Sequence, residues 1–228
     1  AVAVFARVMW VEGRTPGPLM PLSYLRRPVF SAALACAGLM TFGMYALLFL
    51  MPLYFQTVRG GSPFVAGLEL LPMSVAFVAV SQAVGYLNNR FGPCMVMTAG
   101  MVCMGGGALA LAFIHEATPL AIVELDLLVV GVGLGLNTAP VNGVAVAALP
   151  PERSGTASGL VNTARMVGAT LGVAVLGAVF AARAGQDAAA DRFVAGLHAA
   201  LGAGAAAALL RALLALAFIR RDSLPRGS

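Results

Sequence analysis

The sequence predicts an all-α integral membrane protein with six transmembrane helices. Three observations point there. The 228 residues are 60% hydrophobic and only 10% charged, where a soluble domain carries about 25% charged residues. Mean hydropathy is +0.92. The apolar residues come in blocks of about 20, the length a helix needs to cross a bilayer. No ten-residue stretch alternates polar and apolar residues as a barrel strand must.

Taken in order, residues 1–11 read as the end of an earlier helix, since an apolar segment already carrying Arg7 opens the chain. A polar, proline-rich connector follows, EGRTPGPLMPLSYLRRP, so that residues 1–28 precede the bundle. Six apolar runs then fill residues 29–219: 29–51, 64–87, 95–114, 120–144, 159–182 and 194–219. Short loops between them make successive helices antiparallel neighbours. Gly168 and Gly172 have the spacing that lets helix backbones touch, and Gly131, Gly133 and Gly135 crowd the fourth run. Pro72 and Pro140 are expected to kink the second and fourth helices. Helix packing and a water-lined cavity are both uses for such residues. Residues 220–228 form a tail whose end, SLPRGS, resembles a protease-site scar.

The net charge of +5 reads as a topology signal. Every lysine-or-arginine position is arginine, which suggests a GC-rich coding sequence. Arg14, Arg26, Arg27, Arg90, Arg153, Arg220, Arg221 and Arg226 fall on one side of the six spans, against Arg59, Arg183 and Arg192 on the other. The arginine-rich side is expected to be cytosolic, and the C-terminus with it. No basic stripe with interleaved aromatics is present, so no nucleic-acid partner is expected. Cys36, Cys94 and Cys103 form no disulfide framework. His115 and His198 have no metal-ligand companions at useful spacing, and Ser154 and Ser158 have no base near them in sequence. The glycine clusters do not follow a strand and are not nucleotide loops. Neither an enzyme, a metal nor a cofactor is expected.

Ionisable and polar residues inside the runs are the candidate functional groups, because a charge in lipid costs on the order of 3 kcal/mol and is usually paired, cavity-facing or functional. Glu69, Glu124 and Asp126 lie toward the outer ends of their runs. Snorkelling or pairing with an outer arginine would satisfy them; Asp126, the deepest, is the first candidate for a protonatable group. Arg165 stands one to two turns inside the fifth run and is a candidate gating residue, holding helix ends together through carbonyls or an acid. Arg211 is placed to snorkel to headgroups. Gln82, Asn137 and Asn142 could line a cavity or bond between helices. Met73, Phe77 and Met101 could supply an adaptable apolar wall.

Four stretches carry a family resemblance. In GYLNNRFGPC, the residues Gly85, Leu87, Asn88, Asn89, Arg90 and Gly92 resemble the motif joining the second and third helices of each half of major facilitator superfamily transporters. LPPERSGTASGLVNTARMVGATLGVAVLG, residues 149–177, resembles the segment joining helices twelve and thirteen of that superfamily's fourteen-helix drug:proton antiporter branch. PLMPLSYLRRPVF and GSPFVAGLELLPM resemble that branch's approaches to helices nine and ten. Their order and spacing cover nearly the whole chain, which is similar to the C-terminal half of such a transporter.

The resemblance implies a six-helix bundle that rocks against a six- to eight-helix N-terminal half. It implies export of a small hydrophobic substrate across the cytoplasmic membrane, driven by protons, with a site near the bilayer midplane. It also implies a tight cytosolic turn at Gly85, Asn89, Arg90 and Gly92, with Arg90 at the interface and both glycines permitting close approach and reversal. The chain departs from the pattern in places. Asn89 stands where the family has aspartate, and Cys94 near where a second basic residue is usual. Phe77 and the pair Val161-Asn162 stand where some relatives carry acids. These departures favour a neutral or anionic substrate over a dication. The family's acid in helix one and its proline-glycine motif in helix five belong to the N-terminal half. A truncated or split bundle without transport activity of its own is the alternative expectation.

Overall fold

The computed structural model describes residue 24 and residues 27–115, 117–184 and 190–218. The expected earlier helix and most of the connector lie outside the described residues, as does the tail, 219–228. Seven α-helices form, and no strand occurs among the described residues. They are α1 (Pro28–Thr57), α2 (Pro63–Glu69), α3 (Leu71–Phe91), α4 (Pro93–Leu111), α5 (Leu120–Ala147), α6 (Ser154–Ala184) and α7 (Ala190–Phe218). A 3₁₀ turn, Pro151–Arg153, leads into α6. Among the described residues, five spans are long and apolar enough to cross a membrane: α1, α2–α3 together, α4, α5, and α6 with its leading turn. The sixth predicted run lies mostly in α7, where the side chains of residues 208–218, Arg211 included, lie outside the described residues.

Several helices outrun their apolar cores. α1 extends to Thr57, and α6 begins at Ser154 rather than near Gly159. Hydropathy marks the part of a helix that lipid covers, whereas hydrogen bonding carries the helix past the interface. The second predicted run is not one helix with a kink. It breaks at Leu70, and Pro72 sits in the first turn of α3. Proline lacks the N–H that a continuous helix would need there, and its ring crowds the carbonyl four residues back. α2 has its own start signal, because Ser62 accepts a bond from the Val65 N–H at 3.3 Å. Pro140, by contrast, is buried inside a continuous α5.

Two hydrogen bonds mark the two ends of the bundle. Arg27 Nη1 donates to the Ala148 carbonyl at 2.9 Å, which brings the start of α1 beside the end of α5. Arg59 Nη2 donates to the Thr118 carbonyl, which brings the end of α1 beside the start of α5. These are the Arg90 end and the Arg59 end below.

α1 packs most extensively on α6, α5 lies between α3 and α4, and α7 touches α1, α4 and α6. The glycines of GVGLG explain the position of α5. Residues 131 and 135 are one turn apart on one face, and 133 is nearly opposite. A Cβ at Gly131 would overlap the Met73 carbonyl of α3, and one at Gly135 would meet Val80 at 2.9 Å. A Cβ at Gly133 would meet the Gly100 carbonyl of α4 at 2.6 Å. One short motif thus fits α5 against both neighbours. The α1–α6 seam works the same way, with Gly168 under the Gly38 carbonyl and Gly172 under that of Phe42.

Candidate functional site

A polar arrangement joins three helices where α1, α5 and α6 meet. Thr41 of α1 is buried. Its hydroxyl donates to the Arg165 carbonyl of α6 at 2.7 Å and lies 3.0 Å from the Gly38 carbonyl of its own helix. From the same residue, Arg165 Nη2 donates to the Thr138 carbonyl of α5 at 3.0 Å. Thr138 turns its own hydroxyl to the Leu134 carbonyl at 2.8 Å. One arginine therefore joins three helices, through its backbone on one side and its guanidinium on the other.

Because α6 begins at Ser154, Arg165 stands eleven residues from the helix start. That is about 16 Å into a helix about 46 Å long. Counted from the start of the apolar run near Gly159, it stands about 9 Å inside the part that lipid covers. Its Nε is buried with no hydrogen-bond partner. Among the described residues, no acidic side chain pairs with its guanidinium.

The GYLNNRFGPC motif is mostly helix. Gly85, Asn89 and Arg90 lie on the last two turns of α3, and the reversal is made at Gly92 alone. Gly92 has φ 82° and ψ 150° and precedes Pro93. Proline forces its predecessor into extended backbone, and only glycine takes that with positive φ at little cost. No atom lies within 4 Å of a Cβ built at Gly85, so no close approach occurs there among the described residues. Arg90 is exposed, donates to Tyr86 Oη at 2.9 Å and lies over the Phe91 ring. Asn89 is exposed, whereas its neighbour Asn88 has a buried, unbonded Oδ1.

The expected cavity residues divide. Met73 is buried in the α3–α5 seam, and half-buried Phe77 lies along the same seam, its carbonyl beside Gly135. Asn137 is fully buried in the α4–α5 seam. Its Nδ2 donates to the Gly133 carbonyl at 2.8 Å, and its Oδ1 has no partner. These positions are packing positions within the bundle. Met101 is buried in the core as well. Asn142 is half-buried and Gln82 exposed, so both reach the bundle's periphery. Exposed Asn162, Thr163 and Thr170 add hydroxyl and amide groups on α6. A small cavity of about 30 Å³ between α1, α4, α5, α6 and α7 is lined only by apolar residues such as Leu47, Met104 and Leu176. It offers no polar group to orient a ligand.

The acids sit at the Arg59 end. Glu69 closes α2, with Oε2 buried and unbonded, within electrostatic reach of both Arg59 and Glu124. Glu124 and Asp126 stand in the first two turns of α5, both half-buried. Arg59 is engaged elsewhere: it donates to the Thr118 carbonyl and lies over the Tyr54 ring. The structure also pairs two residues that looked isolated in sequence. The rings of His115 and His198 meet edge to face with centroids 5.4 Å apart. They lie 83 positions apart, so no local spacing announces the pair. Thr41 and Thr138 were likewise missed; a lone hydroxyl within a long apolar run is the signal that could have found them.

Comparison with known proteins matches this architecture to one family. The family model described as Major Facilitator Superfamily matches residues 6–173. The multidrug resistance protein Stp of Mycobacterium tuberculosis is 39% identical over 178 residues, which is 78% of this chain and 33% of that protein. The methylenomycin A resistance protein of Streptomyces coelicolor is 33% identical over 78% of the chain and 38% of its own length. The tetracenomycin C resistance and export protein of Streptomyces glaucescens is 33% identical over 82% of the chain and 35% of its own length. The chain spans about a third of the length of the curated relatives it matches.

Proposed function

Since the chain belongs to the major facilitator superfamily, we propose that it is the C-terminal half of a drug exporter. The transporter would move small hydrophobic molecules out across the cytoplasmic membrane by alternating access, coupled to proton entry. The observation that carries this reading is the similarity, over about four-fifths of the chain, to proteins named for resistance and export.

The geometry supports it in two ways. First, a guanidinium within a membrane-spanning helix cannot face lipid cheaply. The side of the bundle bearing Arg165, Thr138 and Asn142 is therefore suited to a water-accessible path shared with the N-terminal half. Second, Arg165 bonds α1, α5 and α6 together. A rocking bundle needs such a joint to move as a rigid body. In this reading Arg165 is a gating element, Asp126 the protonatable group of this half, and Glu124 and Glu69 its neighbours at the outer mouth. Arg90, Asn89 and Gly92 form a cytosolic joint between α3 and α4. The excess of arginine at the Arg90 end supports cytosolic placement of that end.

The test is accumulation of fluorescent compounds in an efflux-deficient bacterium expressing the complete protein. Lowered accumulation, restored by a proton uncoupler, is the expected result. Equal accumulation with and without the protein would overturn the reading.

A further inference from the structure

We propose that Arg165 binds the carboxylate, or an equivalent planar oxyanion, of the transported compound. The inference rests on the transport reading above and adds the substrate class.

A guanidinium presents five N–H donors in a flat fork and cannot lose its charge in a protein. Arg165 spends one donor on the Thr138 carbonyl. Its Nε has no partner although it is buried. A neutral carbonyl does not balance a cation, and no acidic side chain among the described residues pairs with this one. The charge therefore stands inside a membrane-spanning helix with its Nε–H unused. A half-buried arginine in that state is poised for an anion, and the fork geometry selects a carboxylate bound through two parallel hydrogen bonds. The neighbourhood fits an organic acid. Met166, beside Arg165 on α6, is half exposed and offers a flexible apolar contact for the body of such a molecule. Asn162, one turn earlier on α6, brings no negative charge that would compete for the guanidinium.

The carboxylate could instead come from the N-terminal half of the transporter. The experiment separates these sources. A panel of compounds, each as its free acid and as its methyl ester, is assayed for export by the complete protein and by Arg165→Lys and Arg165→Gln. The readout is the acid-to-ester ratio of apparent affinity within each variant, which does not depend on how much protein reaches the membrane. The proposal expects the unsubstituted protein to prefer acids. Arg165→Gln should lower that ratio by about tenfold to a hundredfold, as for a lost hydrogen bond to a charged group. Arg165→Lys, which keeps the charge and loses the fork, should fall between. Equal losses for acid and ester would assign the guanidinium to a carboxylate of the protein and overturn the proposal. An unchanged ratio in both variants would overturn it as well. Failure of the unsubstituted protein to export any member of the panel would count against the transport reading itself, and the proposal would go with it.

Discussion

The Thr41 hydroxyl donates to the backbone carbonyl of Arg165 at 2.7 Å, across the seam where α6 lies on α1. That carbonyl belongs to a helix interior, so the bond is a second one, from a neighbouring helix. It is possible only because Gly168 and Gly172 bring the two backbones together. Replacing Thr41 by valine keeps the shape and removes the donor. The hydroxyl also lies near carbonyls of its own helix, so a loss of about 1 kcal/mol is expected, in the range of interhelical bonds in membranes. Thermal melting in detergent should show a small drop; an unchanged melting temperature would mean the bond contributes nothing to the seam.

Gly168→Leu should be far worse. Its Cβ would overlap the Gly38 carbonyl, and a backbone atom cannot swing aside as a side chain can. Overpacking typically costs about 1–3 kcal/mol. Gly177→Leu is the control, since nothing lies within 4 Å of a Cβ there. The first variant should melt early or fail to accumulate, and the second should behave like the parent. Matching behaviour of the two would contradict the packing described.

The glycines at 85 and 92 should also part company. Gly92→Ala forces a positive φ on a side-chain-bearing residue, at a cost of about 1–2 kcal/mol. Gly85→Ala occupies open space in a regular helix and should be neutral, or stabilising by about 0.5–1 kcal/mol. Chemical denaturation of each variant reads the difference. Equal destabilisation would support a turn that spans the whole motif.

Much of the fold was legible because lipid imposes it. A helix that must hide its backbone from hydrocarbon leaves an apolar block in the sequence, and the runs containing Phe30, Met101 and Val130 were plain for that reason. The ends were less plain, since Ser154 to Ala157 continue a helix that hydropathy alone does not mark. Periodicity was no help with Met73 or Asn137. When all faces of a helix are apolar, nothing in the sequence distinguishes a seam from a cavity wall. The His115–His198 contact depends on how α7 docks against the loop after α4, a tertiary fact with no local signature.

Asp126→Asn removes the proposed protonatable group of this half while keeping its size. Proton-driven export by the complete protein should be lost, with binding of neutral compounds retained. Glu124→Gln, two residues away, should slow export without uncoupling it. Full proton-driven export by the Asp126 variant would remove that residue from the coupling role.

The most direct measurement uses the complete protein in proteoliposomes with a pH gradient imposed across the membrane. A fluorescent substrate should move against its own gradient, in exchange for protons, only while the pH gradient lasts. Collapsing that gradient should stop transport at once. Substrate movement indifferent to the imposed gradient, or none at all, would contradict the assignment of this bundle to a proton-coupled drug exporter.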